Sequence, residues 1–178
     1  DCHDPSRPGA VLCRHAVATP REVEEAVACG RSDPDGWRAL SVDARSAVLG
    51  RVAQELRRAR GRLLDIAMRS GGKLLTEADP EVSEAVDFVE FYRAAARGFF
   101  EMEGVRARGC GLVVVVPPWN FPIAIPCGGI AAALAAGNTV IVKPASDTVP
   151  VAWEVCECFW RAGVSRRTLQ FLPCPGST

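Results

Sequence analysis

Histidine is almost missing from this chain: His3 and His15 are the only two among 178 residues, and both lie in the first fifteen. That leaves no convincing Ser-His or Cys-His pair for nucleophilic catalysis. Excess charge of either sign is missing too, since 21 basic residues balance 21 acidic ones. With no arginine cluster interleaved with aromatics, nothing points to nucleic acid or to an anionic membrane. The strongly apolar stretches contain prolines or are too short to cross a bilayer, so no transmembrane segment is expected. Asp1 to Pro8 is polar and leads into no signal-peptide core, so the expected compartment is cytoplasmic. The start at Asp1, without Met, reads as a trimmed chain. Two glycine signatures are also absent. No GxGxxG follows a strand, and SGGK (Ser70–Lys73) lacks the spacing and hydroxyl of a phosphate loop.

Cysteine is abundant: Cys2, Cys13, Cys29, Cys110, Cys127, Cys156, Cys158 and Cys174. The spacing is irregular and contains no CxxC. Several lie in apolar surroundings, where free cysteine behaves as a small hydrophobe. They read as reduced structural thiols rather than disulfides or a metal site.

Apolar residues make up 48% of the sequence, enough for a core. Asp1 to Ala18 reads as an extended arm. Thr19, Pro20 and Glu22 form a capping box at the start of a helix that Gly30 would end. Asp43 to about Arg69 shows helical periodicity, with Gly50 and Gly61 weakening it or marking close packing. Arg57, Arg58, Arg60 and Arg62 read as its solvated face. Asp79 and Pro80 would cap and open another helix running to Phe100. Val82, Val86, Val89, Ala96 and Phe99/Phe100 would be its buried side, and Phe88, Phe91 and Tyr92 a packing stripe.

After Gly109 the character changes. CGLVVVV is an apolar run expected of a strand covered on both faces. TVIVK (Thr139–Lys143) and TLQFL (Thr168–Leu172) repeat the pattern. Between them lie FPIAIPCGGIAAALAAG and VPVAWEVCECFWRAG, both helical, the latter closed by Gly163. Asp147-Thr148 would cap the second of these helices. The pattern is a parallel βαβαβ unit. The fold class is therefore α/β: a mainly helical part, residues 1–109, followed at 110–178 by the beginning of a doubly wound, Rossmann-like sheet. A complete sheet of this kind has more strands, so the sequence reads as the N-terminal piece of something longer.

Ligands of such sheets bind at the carboxyl ends of the strands. The first strand delivers Pro117, Pro118, Trp119 and Asn120, the second delivers Lys143, Pro144, Ala145 and Ser146, and the third delivers Cys174 to Thr178. Asn120 carries two amide donors that could stabilise charge on an oxygen without titrating, or could cap the helix that follows. Lys143 could bond sugar hydroxyls or a phosphate, or simply face solvent. Ser146 could hydrogen-bond beside it or start a turn.

PPWNFPIAIP followed by GNTVIVKPAS resembles the aldehyde dehydrogenase superfamily, in order and in spacing. The resemblance continues through AWEVCECFWRAGVSRRTLQFLPCPG and covers nearly the whole chain. ADPEVSEAVDFVEFY, GGIAAALAAGNTVIVKPA and LQFLPCPG are most similar to the branch that oxidises L-glutamate γ-semialdehyde, the open form of 1-pyrroline-5-carboxylate, in proline catabolism. That branch includes free-standing dehydrogenases and the matching domain of a bifunctional proline utilisation protein. The resemblance implies that Asn120 is the oxyanion-hole asparagine, and that Pro118 and Trp119 line the nicotinamide-ribose side of a cofactor cleft. It implies that Lys143 bonds the adenosine ribose. Many members carry Glu where this chain has Ser146. That change removes a carboxylate which would repel a 2′-phosphate and so leaves NADP open, while the resembled branch mainly uses NAD, which is the expected cofactor. No metal is implied. The partner is a small aldehyde, and the parent is expected to be a homo-oligomer. The family's cysteine nucleophile and glutamate base match nothing here. Cys127, though near Asn120 in sequence, has no partner base. The parent is thus expected to be an NAD(P)-dependent aldehyde dehydrogenase and the 178 residues alone inactive. A non-catalytic cofactor-binding or structural module is the alternative, and an aldehyde dehydrogenase of other specificity another.

Overall fold

The computed structural model describes residues 1–177. Cys2–His3 (β1) and Val11–Cys13 (β2) pair as a short antiparallel ribbon within the expected arm. Thr19 then caps α1 (Pro20–Ser32). Its side chain accepts from the Glu22 amide, while Glu22 accepts from the Thr19 amide at 2.7 Å, so each satisfies an orphan donor of the other.

Gly30 does not end this helix, contrary to the sequence reading. Asp33 does, in the left-handed conformation at φ 48°. Gly30 is instead a contact point. A Cβ there would stand 2.6 Å from Leu112 Cδ1, and the Gly30 carbonyl accepts the Thr139 hydroxyl at 2.7 Å. Its bare Cα lets α1 lie directly on the sheet.

Ser41 caps the long helix α2 (Val42–Gly71), which ends at a left-handed Gly72. Leu49, Val52, Leu56 and Leu63 line its buried stripe. The arginines on the other side are paired: Arg57 with Glu90, Arg58 with Glu55, Arg60 with Asp79 and Arg62 with Glu154. Gly50 packs tightly, since a Cβ would meet Arg93 Nη1 at 2.8 Å, but Gly61 has open space around it.

The next helix, α3 (Leu75–Phe100), begins before the expected Asp79 and Pro80. Glu77 accepts from the Leu74 amide at 3.0 Å, which starts the helix there. Pro80 lies inside as the sixth residue of the helix, where it leaves the Thr76 carbonyl without its usual amide donor. Asp79 caps nothing. It receives Arg60 Nε at 2.7 Å, a bond that lowers its pKa. Phe99 is 60% exposed and Phe91 is also exposed, so the far end of the expected apolar side faces outward.

The strands β3 (Leu112–Val115), β4 (Thr139–Val142) and β5 (Leu169–Phe171) form a parallel sheet in the order β3-β4-β5. Val113 lies opposite Val140, and Val142 opposite Phe171. Only β4 is buried throughout. Contrary to expectation, β3 is not covered on both faces: Val114 is 53% and Val116 63% exposed. Residues 113 and 115 turn to the helices while 114 and 116 alternate to the open side.

The crossover helices are α4 (Ala124–Ala135) and α5 (Val149–Arg161). Thr148 occupies the cap position of α5, but its side chain bonds no helix amide; only its backbone carbonyl does, receiving the Ala152 amide. One core runs through α2, α3, α4, α5 and the inner face of the sheet. Two adjacent glycines seat α4 in it. A Cβ at Gly128 would lie 3.0 Å from the Phe88 ring, and one at Gly129 3.0 Å from Val115 Cγ1. Among the described residues, no helix is long and apolar enough to cross a membrane.

These glycines make opposite predictions. Gly128→Val should destabilise the fold by roughly 1–3 kcal/mol through overpacking. Gly61→Ala, on an exposed and open helix position, should stabilise it by about 0.5–1 kcal/mol. Unfolding midpoints in urea check both.

Candidate active site

Because β3 and β4 are parallel neighbours, the chain leaves both at the same edge of the sheet. The Lys143 amide donates to the Val115 carbonyl at 3.0 Å, holding the two exits together. Pro118, Trp119 and Asn120 are thereby brought to one edge with Lys143 and Ser146, where open parallel sheets receive ligands.

Pro117 is buried and anchors the first exit; Pro118, Trp119 and Asn120 are exposed beyond it, and Pro122 is buried again. The exit is thus an arch pinned at both feet by prolines. The Asn120 side chain makes no hydrogen bond among the described residues, so its amide donors are free. Nor does it cap α4. The amides of Ile123 and Ala124 instead donate to Glu81 Oε1 at 2.6 and 3.0 Å.

Glu81 comes from α3 and its side chain is 1% exposed. Its second oxygen receives Lys73 Nζ at 2.7 Å. Lys73 also donates to the Asn120 backbone carbonyl at 3.0 Å and sits 4.5 Å from the centre of the Phe121 ring. A cavity of about 530 Å³ opens here, lined by Gly72, Lys73, Pro80, Trp119, Asn120 and Phe121.

On the second exit, Lys143 is half-buried and its Nζ donates to the Pro144 carbonyl at 3.2 Å. Ser146 and Asp147 are exposed, and the Asp147 carbonyl accepts the Ser70 hydroxyl at 3.2 Å. An ammonium with one bond, to the carbonyl of the next residue, and an exposed hydroxyl three residues on are groups that can bond a polar ligand. No carboxylate stands at position 146 to repel a phosphate.

At the third exit, past β5, Cys174 is half-buried and Thr178 lies outside the described residues; Cys127, Cys156 and Cys158 do not join this edge. Cys127 is fully buried, and burial first, then the nearby Cys158 and Cys156, push its thiol well above the ordinary range. Burial likewise raises Cys156, and holds Cys158 at about 11. Thiols so desolvated are poor nucleophiles. No group of three His, Cys, Asp or Glu residues suited to a metal occurs among the described residues.

Lys73 and Glu81 escaped the sequence reading. SGGK reads as a helix break without the features of a phosphate loop, and neither reading marks Lys73 as an ion-pair partner. The usable signal was a charged residue in an apolar row: Glu81 sits with Ala78, Val82 and Ala85 on the buried face of α3.

The parallel sheet with paired exits defines the class. The chain matches the aldehyde dehydrogenase family over residues 1–178, and it belongs to that family. Within it, the chain is 39% identical over 175 residues to the bifunctional protein PutA of Escherichia coli (strain K12), covering 98% of this chain and 13% of PutA. It is 31% identical over 180 residues to the 1-pyrroline-5-carboxylate dehydrogenase of Staphylococcus aureus (strain MW2), covering 96% of this chain and 35% of that protein. The solved structure of 1-pyrroline-5-carboxylate dehydrogenase from Thermus with bound NAD superposes with a TM-score of 0.91 at 35% identity, over 99% of this chain and 36% of that one. The chain therefore spans little more than a third of the dehydrogenases it matches and a smaller share of PutA.

A thiol reagent at neutral pH should modify the exposed Cys110 first and leave Cys127, Cys156 and Cys158 untouched until denaturant is added. Peptide mapping checks this. Fast labelling of Cys127 in the native protein would contradict its burial.

Proposed function

We propose that this chain is the front part of an enzyme that oxidises L-glutamate γ-semialdehyde to L-glutamate with NAD. The observation that carries the reading is the free Asn120 amide, held on a proline-pinned arch at the sheet edge that also presents Lys143. The relatives named PutA and 1-pyrroline-5-carboxylate dehydrogenase support the choice of aldehyde. The neighbour with bound NAD supports the cofactor.

In balanced form, an aldehyde, water and oxidised cofactor give a carboxylate, reduced cofactor and two protons. The cofactor, when bound, supplies the hydride acceptor. The work of this chain is to bind and to stabilise charge. Lys143 and Ser146 would hold ribose hydroxyls, and Pro118 and Trp119 would flank the nicotinamide side. When a thiolate adds to the aldehyde, its carbonyl oxygen becomes an alkoxide. The Asn120 side-chain N–H donates to that oxygen where the charge develops, so the bond strengthens in the transition state. Because the amide is already free of other partners, no competing bond has to break first.

The thiolate and the water-activating base lie outside these residues in this reading: Cys127, Cys156 and Cys158 are desolvated, and Cys2, whose thiol meets His15 Nδ1 at 3.4 Å, is buried in the β1–β2 ribbon with its pKa raised to about 11 by that burial. The comparison that tests it is the full-length protein against the 178-residue chain, each with NAD and glutamate γ-semialdehyde. Turnover by the former and none by the latter is expected, and either reverse result overturns the reading. Asn120→Ala in the full-length protein should lower kcat by roughly 100- to 1000-fold with cofactor affinity little changed.

Position 146 bears on cofactor choice. Ser146→Glu would place a carboxylate beside the ribose. It should lower kcat/KM with NADP by more than with NAD, raising the NAD preference. An unchanged ratio would remove Ser146 from the cofactor site.

A further inference from the structure

The first amides of α4 are satisfied in an unusual way. The residue at the cap position is Ile123, which offers no side-chain acceptor. A serine or aspartate there would satisfy the helix locally. Instead Glu81 reaches across from α3, receiving both Ile123 N and Ala124 N on one carboxylate oxygen and Lys73 Nζ on the other. A local cap would fix the helix only to itself. An acceptor from another helix fixes the end of the arch in space, relative to α3.

Lys73 completes the hold from the other side. It follows the left-handed Gly72 that turns the chain out of α2, and its side chain is only 11% exposed. Its ammonium bridges Glu81 and the backbone carbonyl of Asn120, with the Phe121 ring 4.5 Å away. The peptide joining Asn120 to Phe121 is therefore gripped, while the Asn120 side chain has no bond among the described residues. The ion pair joins the turn after α2 to α3. Its bonds converge on residues 120–124.

We propose that Lys73 and Glu81 are positioning residues for Asn120: together they lock the arch between β3 and α4, so that the free amide is presented in one orientation. The proposal rests on the reading of Asn120 as the alkoxide donor. Neither residue touches the reacting atoms, and each acts through the backbone on either side of residue 121.

The test is a mutant cycle in the full-length protein. Lys73→Met keeps the apolar stem and removes the charge. It should lower kcat for glutamate γ-semialdehyde by roughly 10- to 100-fold, as expected for a displaced catalytic group, with the KM for NAD unchanged. In an Asn120→Ala background the same substitution should cost almost nothing further, because there is no amide left to misplace. An equal loss in both backgrounds would overturn the proposal.

Hydrogen exchange gives a second reading that needs no turnover. In Lys73→Met and in Glu81→Gln, the amides of Ile123 and Ala124 should exchange faster while α2 and α5 keep their protection. Unchanged exchange at residues 123–124, or loosening shared equally by α2 and α5, would overturn it. If the wild-type full-length protein fails to oxidise glutamate γ-semialdehyde, the functional reading falls, and the exchange result still decides whether the pair holds the arch.

Discussion

A helix buried between a sheet and other helices cannot leave its terminal amides and carbonyls to water, and α4 is in that position. It is apolar on nearly every side, so it packs against α3, α2 and the sheet at once. Both of its ends must then be satisfied by side chains from elsewhere. Glu81 receives the first amides. At the other end, Trp37 Nε1 donates to the Leu134 carbonyl at 3.0 Å, and Arg45 Nε donates to the Ala135 carbonyl at 3.1 Å. Asn138 adds a bond to the Ala133 carbonyl and receives the Gly111 amide, tying the helix end to the start of β3. Burial lowers the Arg45 pKa from its ordinary value, a measure of how far this contact is withdrawn from water.

That constraint explains why the helical first part and the sheet form one core. The partners that α4 needs are supplied by α2, by α3 and by the short helical turn at Trp37–Ala39. Breaking a buried pair such as Lys73–Glu81 leaves an uncompensated charge, which elsewhere costs about 3–5 kcal/mol. The same bonds that satisfy the helix also determine where the arch before it can lie. Structural satisfaction of α4 and presentation of Asn120 are thus one arrangement.

Much of the fold was legible because its signals are local. The capping box at Thr19 and Glu22 and the apolar runs of β4 and β5 appear where the spacing put them. The errors have a common cause. Gly30 looked like a helix stop, but its missing Cβ serves a contact with Leu112, far away in sequence. Pro80 looked like a helix start, but the Glu77 carboxylate had already begun the helix by receiving the Leu74 amide. The valines of β3 looked doubly buried, yet α1 covers Leu112 and leaves Val114 and Val116 open. Phe99 looked like core and faces outward.

The chain's own chemistry set out the order of helix and strand, the β3 and β4 exits that carry Asn120, Lys143 and Ser146, and membership of the aldehyde dehydrogenase family, because periodicity, caps and linear motifs are written in neighbouring residues. Tertiary structure alone decided that Asn120 is free rather than a cap. It also decided that Cys127 is a desolvated thiol, and that Lys73 and Glu81 meet at the arch. Those outcomes depend on which groups water can reach and on which distant side chain arrives within 3 Å, and no local pattern encodes either.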